Sequence, residues 1–191
     1  MGFTGKKKET FPDGSVYKGD WLDGKKHGKG IMTFANGLVY ESDFINDRPH
    51  GKGKVTSPDG SSYEGDFISG LPHGKGKQFF KDGVVYEGDF FNGIPHGKGK
   101  QTLLDGTVYE GDFVENKRTG KGKTTMANGA AYYEGDFVND KPHGKGKFAI
   151  LNGTVYEGDW VEGNQTGKGK MTYPIGKVIE GNWKDDEFVG K

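Results

Sequence analysis

Three sets of residues in this sequence are of types that do chemistry, and each set recurs. Histidines stand at His27, His50, His73, His96 and His143, in runs such as His73-Gly74-Lys75-Gly76-Lys77. Carboxylates two residues apart, such as Glu64 and Asp66, precede them, and lysines follow at Lys75, Lys77, Lys98, Lys100, Lys121, Lys123, Lys145 and Lys147. Elsewhere these would be metal ligands, acid–base pairs and phosphate cradles. A phosphate loop needs G-x-x-x-x-G-K-[ST]. Gly70-Leu71-Pro72-His73-Gly74-Lys75 is one residue short and continues into Gly76, while Gly122-Lys123-Thr124 has Lys117 in place of the first glycine. The histidines share one position of a repeat, with Thr119 and Thr166 taking it in two copies. Successive copies lie about 10 Å apart, whereas ligands of one zinc ion must sit within about 2.2 Å of it. No shared metal site is expected, and a turn-closing hydrogen bond is the histidines' expected role. Identical carboxylate pairs along a surface lack the closed pocket that separates the pKa values of a catalytic pair. No serine has a base and an orienting acid in the pattern. The chain reads as non-catalytic, with no cofactor and no metal.

The elements that place these residues repeat every 23 positions. Leading tyrosines fall at Tyr17, Tyr40, Tyr63, Tyr86, Tyr109, Tyr133 and Tyr156, with Ile179 in the eighth place; the one 24-residue step runs from Tyr109 to Tyr133. A period in this range marks a repeat architecture. A single array over 1–191 is expected, with a partial N-terminal unit at 4–16, full units from 17, 40, 63, 86, 109, 133 and 156, and a partial C-terminal unit at 179–191. Gly190-Lys191 falls within the next Gly-Lys segment and no capping repeat is evident. The array is therefore expected to belong to a longer chain or to be covered at its end by a partner.

Within Tyr63-Glu64-Gly65-Asp66-Phe67, rings and glycine alternate with carboxylates, the period of a half-buried strand. Ser69-Gly70-Leu71-Pro72 reads as a turn cluster. His73–Lys77 alternates again, and Asp82-Gly83 is the residue pair a tight hairpin turn favours. One unit is one β-hairpin, so the fold expected is all-β: an elongated, single-layer antiparallel ribbon about 70 Å long over seven units. Tyr63, Gly65 and Phe67 share one face, and Gly74 and Gly76 leave room for neighbouring rings to lie over bare backbone. Glu64 and Asp66 project from the other face, within reach of Lys75 and Lys77. The extra residue among Ala130, Ala131 and Tyr132 is expected to bulge a strand.

Composition bounds the rest. Hydrophobic residues make up 31% of the chain, too few for a thick core, while aromatics at 13% are too many for a disordered one. Lysine plus arginine equals aspartate plus glutamate at 27 each, which offers nucleic acid no basic excess. The absence of cysteine removes disulfides, thiol catalysis and cysteine zinc sites. The N-terminus lacks the apolar stretch of a secretory signal, and no apolar run reaches the roughly 18 residues of a membrane helix.

Tyr-Glu-Gly-Asp-Phe/Trp, a short turn and then His-Gly-Lys-Gly, repeated in register through seven units, resembles the MORN (membrane occupation and recognition nexus) repeat. The resemblance implies β-hairpin ribbons, a cytoplasmic location and scaffold or adaptor roles in cytoskeletal, ciliary or membrane-junction assemblies.

The function expected is a scaffold that binds protein partners along an aromatic face only partly covered by a one-layer sheet. The contact residues assigned to that face are Tyr86, Phe90, Tyr109, Phe113, Tyr133, Phe137, Tyr156, Trp160 and Trp183. A homodimer through a terminal sheet edge is the second partner expectation. The alternatives are a phosphoinositide- or phosphatidic-acid-binding module, with Lys6, Lys7 and Lys8 as its lipid contacts, and a targeting fragment of a larger enzyme. The pattern breaks at Ser42, at Trp21, Trp160 and Trp183, and at Arg118-Thr119 and Gln165-Thr166 are where individual function would lie.

Overall fold

The structure, a computed structural model, describes residues 2–191. Two compact halves form, 2–94 and 95–191. The first carries β1 (Gly5–Thr10), β2 (Val16–Leu22), β3 (Lys25–Thr33), β4 (Val39–Ile45), β5 (Arg48–Thr56), β6 (Ser62–Ile68), β7 (Leu71–Phe79) and β8 (Val85–Phe91). The second carries β9 (Ile94–Thr102), β10 (Val108–Val114), β11 (Lys117–Thr125), β12 (Ala131–Val138), β13 (Lys141–Ile150), β14 (Val155–Val161), β15 (Asn164–Thr172), β16 (Val178–Lys184) and β17 (Glu187–Gly190). In each half consecutive strands pair antiparallel into one sheet. The chain is all-β; among the described residues the one helical element is a 3-10 turn, Ala127–Gly129.

The tight hairpin turn lies elsewhere than expected. Ser69 and Gly70, with φ of 53° and 88°, form a two-residue turn with both centres left-handed, the kind whose twist matches that of the strands. Leu71 and Pro72 already belong to β7. Asp82-Gly83 sits instead in a five-residue loop closed by Phe80 N–H to Val84 O and Gly83 N–H to Phe80 O, with Val84 N–H on Asp82 Oδ1. Asp-Gly suits both geometries, so the dipeptide alone did not choose between them.

The His-Gly-Lys-Gly segment is also not a plain alternating strand. Gly65 faces Gly76, but the next partners are Phe67 and Pro72, so three residues of β7 oppose one of β6. Gly74 at φ 73° turns this bulge, and Asp66 Oδ2 accepts the Lys75 N–H within it. The two glycines of the motif therefore have different tasks. Only Gly76 leaves room for a ring: a Cβ there would meet the Tyr63 hydroxyl oxygen and two ring carbons at 2.3–2.5 Å, whereas one at Gly74 would meet the Asp66 side chain.

That ring is the unit of the core. Tyr63 lies edge-on against Phe67 of its own repeat and Phe90 of the next, at 5.1 and 4.9 Å, in the geometry aromatic quadrupoles favour. Its hydroxyl donates to Asp66 O at 2.9 Å, a carbonyl beside the bulge. The same bond recurs from Tyr17, Tyr86, Tyr109, Tyr133 and Tyr156. One repeat departs and explains why the others conform. Ser42 stands where the strand glycine belongs, its own hydroxyl donates to Asp43 O at 2.8 Å, and Tyr40 is left half-buried against Phe34 and Phe67.

The terminal rings are covered, contrary to the expectation of no cap. Lys7 takes the glycine place opposite Gly19, and its ammonium lies 4.2 Å from the centre of the Trp21 ring while pairing with Glu9. Phe188 packs edge-on against Trp183. Trp160 and Trp183 each donate Nε1–H to a glycine carbonyl, of Gly146 and Gly169, but Trp21 Nε1 is buried without a partner. The extra residue near Ala130 bulges no strand: pairing runs unbroken through Ala131, Tyr132 and Tyr133. The loop absorbs it, closing from Met126 N–H to Ala131 O around the 3-10 turn.

Successive tight turns are tied to one another. The second turn residue donates its N–H to a carbonyl of the preceding repeat, as Gly70 to Pro49, Gly93 to Pro72 and Gly163 to Pro142. At Lys26, Arg118 and Gln165, which take the proline place, an aspartate in the turn returns the bond: Asp47 accepts from Lys26 N–H, Asp140 from Arg118 N–H, and Asp186 from Gln165 N–H.

Candidate functional site

With the rings turned to one side, the other face of each half carries two charged rows on either side of a line of glycines. The bulge aspartate of each repeat meets a lysine of the repeat before it: Lys52 with Asp66 and Lys75 with Asp89 in the first half, Lys98 with Asp112 and Lys121 with Asp136 in the second. Glutamates form the other row with Lys77–Glu87, Lys100–Glu110, Lys123–Glu134 and Lys147–Glu157. These pairs join consecutive repeats; Lys75 and Lys77 reach forward to Asp89 and Glu87 rather than back to Asp66 and Glu64. Being exposed, each contributes a few tenths of a kcal/mol. Asp159 is held below the usual carboxylate range by its hydrogen bond from Lys145, with burial opposing and the Lys168 N–H assisting.

Between the rows the backbone is bare. In the second half a groove of about 840 Å³ has Gly111, Gly122, Gly135, Gly146 and Gly158 as its floor. Its walls are Lys98, Lys121 and Lys145 on one side and Glu110, Lys123, Glu134, Lys147 and Glu157 on the other. In the first half a groove of about 640 Å³ crosses the strands near Gly19 and Gly30. The arrangement can hold an extended chain by charge and by contact with exposed backbone; it encloses no reacting atom.

The nine aromatics assigned to partner contact, Tyr86, Phe90, Tyr109, Phe113, Tyr133, Phe137, Tyr156, Trp160 and Trp183, are at most 6% exposed. A thin sheet buries them because tyrosine rings lie over the glycine of the next strand, as Tyr109 over Gly122, Tyr133 over Gly146 and Tyr156 over Gly169, and the phenylalanine and tryptophan rings stand edge-on beside them. Burial pushes the hydroxyls of Tyr17, Tyr63, Tyr109 and Tyr156 up to about 12, and the aspartate three residues on adds to the rise. Tyr40 is raised by burial alone. The histidines stay in separate repeats: His73 tilts over Phe91 at 5.3 Å, and His143 Nδ1 is buried without a hydrogen-bond partner.

Lys6, Lys7 and Lys8 do not act as one cluster. Lys6 pairs with Asp20 at 3.7 Å, Lys7 turns to the ring side, and Lys8 faces Lys18 across the β1–β2 pair. All three line the first-half groove. Lys18 and Ile31 escaped the sequence reading. The signal was present in the repeat columns, where Tyr17-Lys18-Gly19 stands against Tyr63-Glu64-Gly65, and Gly30-Ile31 against Gly76-Lys77.

Tandem hairpins locked by a ring on a glycine, with a charged open groove on the reverse face, define a β-hairpin repeat protein. The chain belongs to the MORN repeat family, which matches residues 17–39, 40–62, 63–85, 86–108, 109–131, 133–155 and 156–178. That family is a non-catalytic repeat. No curated protein matches the chain. Among solved structures it is similar to the Drosophila melanogaster SAS-4 (dCPAP) TCP domain in complex with a proline-rich motif of Ana2. That match has a TM-score of 0.53 at 12% identity, over 94% of this chain and 90% of that one. The TCP10c domain of Drosophila melanogaster Sas-4 matches at a TM-score of 0.49 and 12% identity, over 94% and 99% of the two chains. The first similarity shows a shared fold. Among the described residues no helix is long and apolar enough to cross a membrane.

Proposed function

We propose that this chain is a non-catalytic scaffold that receives an extended segment of a protein partner in the glycine-floored groove of its charged face. The observation that carries the reading is the pairing of a bare backbone floor with walls of long, exposed charged side chains in the second half. Bare backbone allows close approach, and ordered charges on both sides fix register and orientation. The likeness of fold to a SAS-4 domain bound to a proline-rich motif adds support, since there too a β-sheet domain takes a peptide. A role in a cytoskeletal or ciliary assembly agrees with the family. Self-association adds to the proposal, because among the described residues β2 is the one strand recorded against β1.

The test is selection of binding peptides from a displayed library on the whole chain, followed by titration against the charge-swapped variant Glu134→Lys/Lys147→Glu. Selected peptides should lose at least tenfold in affinity. Peptides that bind both proteins equally, or a library that yields none, would sink the groove reading. Light scattering after size exclusion reads self-association separately, as a mass of twice 20.8 kDa.

A further inference from the structure

The two grooves differ in one respect. In the second half every lysine lining the groove has a carboxylate partner: Asp112 for Lys98, Asp136 for Lys121, Glu134 for Lys123, Asp159 for Lys145 and Glu157 for Lys147. In the first half Lys6, Lys29 and Lys52 are paired likewise, with Asp20, Asp43 and Asp66, and Lys7 turns to the ring side and pairs with Glu9, which leaves two lysines of the groove, Lys8 and Lys18, to set it apart. Two departures from the repeat distinguish it, Lys18 adding positive charge and Ile31 replacing a lysine with an apolar side chain. Lys18 occupies the glutamate column, directly opposite Lys8 in the β1–β2 register, and neither makes an ion pair among the described residues. Ile31 occupies the next lysine column, between Lys18 and Glu41 in register, and remains 40% exposed. Like charges directly opposite each other cost stability, so this site departs from the repeat in a direction that folding does not favour.

We propose that the first-half groove binds an acidic, extended segment of a partner protein with one apolar side chain placed over Ile31. The inference rests on the scaffold reading and names the chemistry of its partner. From β1 to β5 the groove crosses four strand spacings, about 19 Å, which an extended chain covers in about six residues. Carboxylates of that segment relieve the Lys8–Lys18 repulsion and share the ammonium groups of Lys6, Lys29 and Lys52, which pair with Asp20, Asp43 and Asp66 yet keep side chains 83%, 88% and 75% accessible. An apolar residue covers Ile31, which otherwise interrupts a charged row.

The experiment is fluorescence anisotropy of a labelled hexapeptide, Glu-Asp-Leu-Glu-Asp-Glu, titrated with the whole chain at two salt concentrations. Binding should weaken steeply with salt and fall at least tenfold in Lys18→Glu. That variant should fold at least as stably as the parent, because it places a carboxylate across from Lys8 as in the other repeats. Ile31→Ser should weaken the leucine peptide about threefold and leave a glycine-substituted peptide unchanged. Unaltered binding in Lys18→Glu would overturn the proposal. So would capture of phosphatidylserine vesicles, lost in Lys18→Glu, with no binding of the peptide; the groove would then belong to a lipid surface. Failure here while library-selected peptides still respond to the second-half variant removes the acidic preference and keeps the scaffold. Failure of both removes both.

Discussion

Replacing Gly76 by alanine probes the lock between ring and backbone on which every repeat depends. Gly76 has no left-handed backbone to preserve, so packing alone is at stake. The added methyl would lie 2.3–2.5 Å from the hydroxyl oxygen and two ring carbons of Tyr63, where ordinary contact begins near 3.4 Å. The ring would have to retreat by about 1 Å, yet Phe67 and Phe90 hold its sides at 5.1 and 4.9 Å and its hydroxyl is bonded to Asp66 O at 2.9 Å. Overpacking of a filled core costs about 1–3 kcal/mol, and loss of the hydroxyl bond about 1 more. Gly76→Ala should therefore cost about 3 kcal/mol, read by equilibrium urea unfolding. Gly60→Ala supplies the control: that glycine has φ 89° with no atom within 4 Å of the added carbon, so it tests backbone strain without a clash and should cost about 1 kcal/mol. In a Tyr63→Ala background the methyl at position 76 has room, and the double-mutant cycle should show coupling of about 2 kcal/mol. A Gly76→Ala cost equal to that of Gly60→Ala, or a coupling near zero, would refute the lock.

Removing one oxygen separates Tyr63 from Tyr40. Tyr63→Phe should cost about 1–2 kcal/mol, because a carbonyl loses its donor; Tyr40→Phe should cost less than about 0.5, because Ser42 already bonds Asp43 O. Thermal unfolding of the two variants side by side reads the difference. Alkaline pH should undo the fold in a defined window. Tyr17, Tyr63, Tyr109 and Tyr156 keep their protons in the folded chain up to about 12 against a usual value of 10.0. Between those limits the unfolded chain binds fewer protons, so stability falls as pH rises. It should be intact below pH 10 and decline steeply towards pH 12, with tyrosinate absorbance rising together with loss of the β signal. Ionisation of these tyrosines without unfolding would contradict their burial.

Much of this was legible in the amino-acid order. The spacing of tyrosines gave the repeat, and alternation in Tyr63–Phe67 gave strands with rings on one face and carboxylates on the other. His73-Gly74-Lys75-Gly76 misled because a bulge inside an alternating run leaves the alternation intact; only the pairing shows that three residues face one. Burial of the nine rings was also hidden, since it depends on each tyrosine lying over the glycine of the following strand. A period-two pattern states the side of a sheet and not what covers it. The charged rows were foreseen, but their partners were not, because the nearest carboxylate in sequence is not the nearest across the strand. Lys18 was visible as a deviation in its column, yet its meaning required Lys8 opposite.

The ties between successive turns carry a grammar of succession. A repeat whose turn-facing residue is Pro49, Pro72, Pro95 or Pro142 is followed by a turn ending in Gly70, Gly93, Asn116 or Gly163; one with Lys26, Arg118 or Gln165 there is followed by Asp47, Asp140 or Asp186. Proline has no N–H to offer, so no carboxylate waits for it; the others have one, and a carboxylate does. Excising 63–85 would bring Pro49 before Asn92-Gly93 and leave the syntax whole. Excising 133–155 would bring Arg118 before Glu162-Gly163, stranding the main-chain N–H and the guanidinium that Asp140 satisfies. Repeats that look like interchangeable copies are thus ordered words, and shortening or shuffling the array is free at some joints and penalised at others.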